Sequence, residues 1–146
     1  MIINRYVYFY CSNKIDMKKQ IERSGAFQEY IAEAVKAGNN IYISGQVSLD
    51  EEGNLVGTND MKAQVDKAYS NVAELLKKFG LGMDNIVDET WFVTNVQHTM
   101  ENLDELFEVR RKHYGKFPEV ANTLVEVKSL VMPELMVEIK CIALAE

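Results

Sequence analysis

Residues 125–143 read VEVKSLVMPELMVEIKCIA. Two runs of alternating side chains flank Met132-Pro133-Glu134, and alternation with a period of two is the pattern of strands that bury one face. The runs predict strands over residues 123–131 and 135–145. Val125 and Val127 share one face of the first, and Val137, Ile139, Cys141 and Ala143 share one face of the second; that face needs cover. Paired as an antiparallel hairpin, the runs set Glu126 opposite Lys140 and Lys128 opposite Glu138, two opposite-charge pairs worth about a few tenths of a kcal/mol each. The two glutamates are therefore either charge partners on a surface or a source of acid chemistry. The charged face also holds Leu124, Leu130, Met136 and Ile142, too apolar for a purely solvated surface, so a partner subunit is expected to cover it.

Working back along the chain, YIAEAVKAGNNIYISGQVSL (residues 30–49) predicts two strands joined at residues 36–39, where Gly38 and Asn39 supply left-handed conformations for the turn. Residues 50–54, DEEGN, form an exposed turn. Met61, Val65, Val72, Leu75, Leu76 and Phe79 recur at helical spacing, predicting an amphipathic helix over residues 59–79. Lys77 and Lys78 suit its C-terminal dipole, and Gly80 ends it. IVDETWFVT (residues 86–94) reads as a strand. Thr99 is placed to cap a second helix reaching Lys112, with Leu103, Leu106, Phe107 and Arg110 on one side and Gly115 following. Residues 4–10, aromatic and β-branched, favour a further strand, whereas residues 12–25 carry no clear periodicity. The fold class predicted from these elements is α+β, a mainly antiparallel sheet with two helices packed on one face.

The chain has 146 residues, enough for one compact domain with its own core and too few for two. Hydrophobic residues make up 47% and charged residues 26%, a balance that separates it from disordered chains. A formal charge of −6 opposes nucleic-acid binding, which depends on a basic surface that displaces counterions from phosphates. Cys11 and Cys141 build no disulfide framework, and Cys141 reads as a small hydrophobe. No signal segment and no run approaching the ~20 apolar residues of a membrane span is present, so the expected location is the cytoplasm.

His98 and His113 have no partner at metal-ligand spacing, so no metal site is expected. Gly45, Gly53 and Gly57 are too scattered for a phosphate loop. Ser44-Gly45-Gln46 lacks a partnered histidine for nucleophilic catalysis.

Four segments carry a resemblance: AVKAGNNIYISGQVSLDEEGNLVG, the helix from Gln64 to Phe79, IVDETWFVTN and VEVKSLVMPELMVEIKCIALA. Together they resemble the reactive intermediate deaminase (Rid, or YjgF-like) family, from about Tyr30 to Ala145, with SGQ and the terminal VEIxxIA as the specific motifs. Residues 1–25 are an atypical N-terminal extension of the single Rid-like domain expected over residues 1–146. The resemblance implies a chorismate-mutase-like fold and a homotrimer with ligand clefts between subunits. It also implies hydrolysis of reactive enamines and imines to keto acids and ammonia, with neither metal nor organic cofactor.

Carried over position by position, the resemblance sets Glu138 at the family's acidic, water-orienting residue. Ser44 falls at a cleft serine, Asn102 at a cleft asparagine and Ile31, beside Tyr30, at a cleft tyrosine. Asn122 falls where the family has the arginine that grips the substrate carboxylate, and neutral Asn cannot form the bidentate charged pair of a guanidinium. Glu126 then reads as a structural partner of Lys140 and Glu138 as a cleft residue. Two functions stay open: an enamine or imine deaminase acting through Glu138, or a trimer that binds a small metabolite without turning it over. A ribonuclease is disfavoured by the acidic balance and the lack of a paired-histidine signature.

Overall fold

The computed structural model describes residues 18–145; the strand expected over residues 4–10 lies outside them. Six strands form one sheet in the order β1-β2-β3-β6-β4-β5, comprising β1 Lys19–Glu22, β2 Ala34–Ala37, β3 Asn40–Gln46, β4 Ile86–Val93, β5 Ala121–Glu126 and β6 Val137–Leu144. Three α-helices accompany it: α1 Met61–Lys78, α2 Val96–Glu101 and α3 Leu103–Tyr114. The fold is the α+β arrangement expected from the sequence. All strand pairs are antiparallel except β4 with β5.

Local chemistry accounts for the elements. The β2–β3 turn places Gly38 at a φ of 61°, a left-handed conformation that costs glycine nothing. In α1, Asp60 accepts the Ala63 N–H at 3.0 Å as N-cap, and Lys77 and Lys78 meet the negative end of the helix dipole. Val65, Ala68, Tyr69, Val72 and Leu76 turn inward from α1, and Ile41, Ile43, Trp91, Ile139 and Cys141 meet them from the sheet.

The last two strands are not a hairpin. β4 runs between them, parallel to β5 and antiparallel to β6, so Glu126 lies beside Val93, Glu138 beside Phe92 and Lys140 beside Thr90. The expected Glu126–Lys140 and Lys128–Glu138 pairs do not form. A period of two reports which face a residue occupies and says nothing of the neighbouring strand. The ten-residue connection over residues 127–136 is long enough to step across a whole strand, a lateral shift of roughly 10 Å. Gln64, wholly buried in α1, secures that crossing: its Nε2 donates to Gly57 O and Glu134 O, and its Oε1 accepts the Met136 N–H at 2.8 Å. Placing two helices in the β4–β5 connection makes a parallel crossover, which explains the one parallel pair.

Further differences follow. Leu124, set beside Trp91, packs toward the helices, and Val125 is on the open face, the reverse of the expected phase. The helical segment after β4 begins earlier than Thr99: Asn95 caps α2 by accepting the His98 N–H at 2.9 Å, and Thr99 is buried inside that helix. Glu126 is structural, as read, but through another partner, because its Oε2 accepts the Val96 N–H at 2.7 Å at the start of α2.

Under the helices, β4 carries an acidic side chain into the core. Glu89 has no exposed surface, and Arg110 of α3, itself 6% exposed, donates Nε to Glu89 Oε1. The guanidinium stacks over Phe107 and Tyr114, each 5.3 Å from the ring centroid. Breaking such a pair leaves an uncompensated buried charge. Arg110→Leu is therefore expected to cost about 3–5 kcal/mol in chemical denaturation, far more than loss of the exposed Arg111–Glu108 pair, which is worth at most about 1 kcal/mol.

Candidate functional site

The register between β3 and β6 shifts between Ile43 and Gln46, so Ser44 and Gly45 form an irregularity opposite Lys140, two residues from Glu138. The Glu138 side chain lies directly over Gly45. A Cβ built on Gly45 would collide with Oε1 and Cδ of Glu138 and stand 2.7 Å from its Cγ. Glycine is thus required here by space and not by backbone angle. Beside it, Ser44 Oγ donates to Ala32 O at 2.8 Å, tying the bulge to the segment that enters β2.

Glu138 is half-buried on the open face of the sheet. Burial pushes its carboxyl pKa above the ordinary carboxylate value, and Lys140 on the same strand opposes that rise. Among the described residues it makes no salt bridge. A carboxyl group that resists ionisation yet stays accessible can exchange a proton with a bound water or ligand.

Ile31 lines a cavity of about 400 Å³ between residues 24–31, the segment from Gly45 to Glu51 and the C-terminal half of α1. Such a volume suits a small metabolite. Gly45 borders the same cavity, while Glu138, which does not line it, meets Gly45 from the open face of the sheet. Tyr30 is 83% exposed and points away from the core. Asn102 sits at the α2–α3 junction and borders a separate depression with residues 100–105; its Nδ2 donates to His98 O at 2.8 Å. Within one chain it does not join the Ser44–Glu138 region.

Asn122 is exposed on the edge strand β5, on the helix-covered side of the sheet, where its Nδ2 donates to Glu89 Oε1 at 2.9 Å. Glu138 occupies the opposite side. The two residues therefore cannot face the same ligand within one chain.

Asn122 is the outer member of a network that sequence reading missed. Glu89 Oε2 accepts from the Tyr69 hydroxyl at 3.0 Å and from the Tyr114 hydroxyl at 2.8 Å, and Trp91 Nε1 donates to the Tyr69 oxygen at 3.0 Å. Burial first, and the Glu89 charge second, push both tyrosine hydroxyls above their ordinary pKa, so they remain donors. The signal was present in the sequence: Glu89 is in phase with Trp91 and Val93, and Arg110 interrupts the apolar side of α3.

A six-stranded sheet with helices on one side and, on the other, an open face where a carboxyl group rests on a bulge defines the α+β class of this protein. The family model described as endoribonuclease L-PSP matches residues 20–145, and the chain belongs to that family, the YjgF/RutC/Rid group of the resemblance. It is 34% identical to a RutC family protein of Aquifex aeolicus over 77% of this chain and 86% of the relative. It is 24% identical to the 2-iminobutanoate/2-iminopropanoate deaminase of Dermatophagoides farinae over 70% of this chain and 85% of that protein. The crystal structure of RidA from Psychrobacter sp. PAMC 21119 superposes with a TM-score of 0.72 at 27% identity, covering 86% of this chain and 97% of the other. Among the described residues no helix is long and apolar enough to cross a membrane.

The contact between Gly45 and Glu138 yields a direct test. Gly45→Ala is expected to destabilise the fold by about 1–3 kcal/mol through overpacking. In a Glu138→Ala background the methyl has room, so the same substitution should cost little; equal cost in both backgrounds, measured by urea denaturation, would contradict the contact.

Proposed function

We propose that the protein is a homotrimer whose interchain clefts bind a small metabolite, and that Glu138 there hydrolyses an imine or enamine to a keto compound and ammonia. The observation that carries the reading is the Glu138 carboxyl group lying on Gly45 beside Ser44, half-buried and resistant to ionisation. Support for an interchain cleft comes from Tyr42, Val87, Val125 and Leu144, which leave the open face apolar and exposed. The relative named as a 2-iminobutanoate/2-iminopropanoate deaminase supports the reaction class.

The chemistry asks little of the protein. The Glu138 carboxylate takes a proton from water as the water oxygen bonds to the imine carbon, and the nitrogen gains a proton, giving a carbinolamine. Transfer of a further proton to nitrogen releases ammonia as the carbon–nitrogen bond breaks and the carbonyl forms. Ser44 and, from another chain, Asn102 and Asn122 position the ligand, with Ile31 and Tyr30 at its rim. The reaction consumes only water, uses neither metal nor organic cofactor, and belongs in the cytoplasm.

A second reading, binding without turnover, is favoured by Asn122, whose amide stands where the family pattern has a carboxylate-gripping arginine. RNA cleavage is disfavoured by the charge of −6.

Ammonia release from 2-iminobutanoate generated in situ separates the readings. Hydrolysis is expected, falling about 100-fold in Glu138→Gln. Because the active form is the carboxylate and its pKa is raised, activity should fall with decreasing pH through a midpoint above the ordinary glutamate value. No acceleration by a trimer would leave the binding reading, and a monomer in sedimentation at micromolar concentration would remove both.

A further inference from the structure

The surroundings of Asn122 determine which end of its amide faces outward. Four donors converge on the two oxygens of Glu89: Arg110 Nε and Asn122 Nδ2 on Oε1, and the Tyr69 and Tyr114 hydroxyls on Oε2. Trp91 Nε1 can only donate, so the Tyr69 oxygen accepts there and sends its own proton to Glu89. A carboxylate ringed in this way offers acceptors alone, which forces Asn122 to give it the NH2 group and not the carbonyl. The other end, Oδ1, accepts no hydrogen bond from any described residue, and the side chain is exposed. Arg110, bonded to the same oxygen as Asn122, has its charge matched by Glu89. The second Nδ2 proton likewise meets no described acceptor, so the rim of β5 presents a neutral edge of one fixed acceptor and one N–H donor, the complement of a primary amide, where an arginine would present donors and positive charge.

We propose that this acceptor selects the ligand: the group preferred at Asn122 is an N–H donor of the primary-amide class over a carboxylate. The inference rests on the proposed interchain cleft and names the substrate class of that same site. A carboxylate placed against Asn122 Oδ1 would bring acceptor against acceptor, and the amide cannot turn to greet it without leaving Glu89 short of a donor. Glu89 is thus a positioning residue, acting on the ligand through Asn122.

Calorimetric titration with 2-oxobutanamide and 2-oxobutanoate, ligands of nearly the same size, tests the proposal. The wild-type protein is expected to bind the amide at least about tenfold more tightly. In Asn122→Leu, which removes the acceptor and also one of the four donors to Glu89 while Arg110, Tyr69 and Tyr114 keep theirs, the preference should vanish in protein shown to be folded by circular dichroism. In Glu89→Gln the new amide can itself donate, freeing Asn122 to turn, so the preference should shrink while both ligands still bind. Equal or tighter binding of 2-oxobutanoate by the wild type, or an unchanged preference in Asn122→Leu, would overturn the inference and leave the cleft reading standing. Binding of neither ligand would remove the cleft reading and this inference together.

Discussion

Glu89 carries a carboxylate into the middle of an apolar layer, where an isolated charge is too costly to leave unmatched. Its remedy organises the helix-covered half of the molecule. Arg110 comes from α3 with the opposite charge, Tyr114 from the end of the same helix, Tyr69 from the middle of α1, and Asn122 from the edge strand. Two helices and two strands are thereby registered against one side chain. Dispersion and burial would hold α1 and α3 on the sheet in any case, but they tolerate sliding. Directed hydrogen bonds to two carboxylate oxygens do not.

The position of β4 extends that constraint to the open face. Because β4 separates β5 from β6, Asn122 shares the side of Glu89 and Cys141, while Glu138 shares the side of Phe92. One chain thus offers an oriented amide on one face and a half-buried carboxyl group on the other. A ligand that touches both must lie between chains, and the exposed apolar residues on the open sheet give those chains a reason to associate. Gly45 contributes by absence, since any larger side chain would lift Glu138 from its seat.

Much of the fold was legible because local chemistry spoke for it. Gly38 marked the β2–β3 turn, and the spacing of Met61, Val65, Val72 and Leu76 marked α1. The family motifs set Glu138 apart from Glu126. The neighbour of β6 was not legible, because alternation in residues 125–143 records faces and is silent on pairing; only the buried Gln64 clamp on Met136 and Glu134 shows how the chain crosses over β4. β1 was missed because KQIE has no apolar alternation and gains its order from pairing with β2. Asn122 was visible as a missing cation, but its orientation depends on Glu89, thirty-three residues away in sequence.

The central claim, that one ligand site draws Glu138 and Asn122 from different chains, is tested most directly by mixing two defective variants. Glu138→Ala and Asn122→Leu chains, each expected to bind 2-oxobutanamide more weakly than the wild type, would be unfolded together, refolded and titrated. With a site shared between chains in a closed ring, about a quarter of the clefts regain both native residues and binding returns in that fraction. A mixture that binds no better than either variant, although sedimentation shows mixed trimers, would contradict the account.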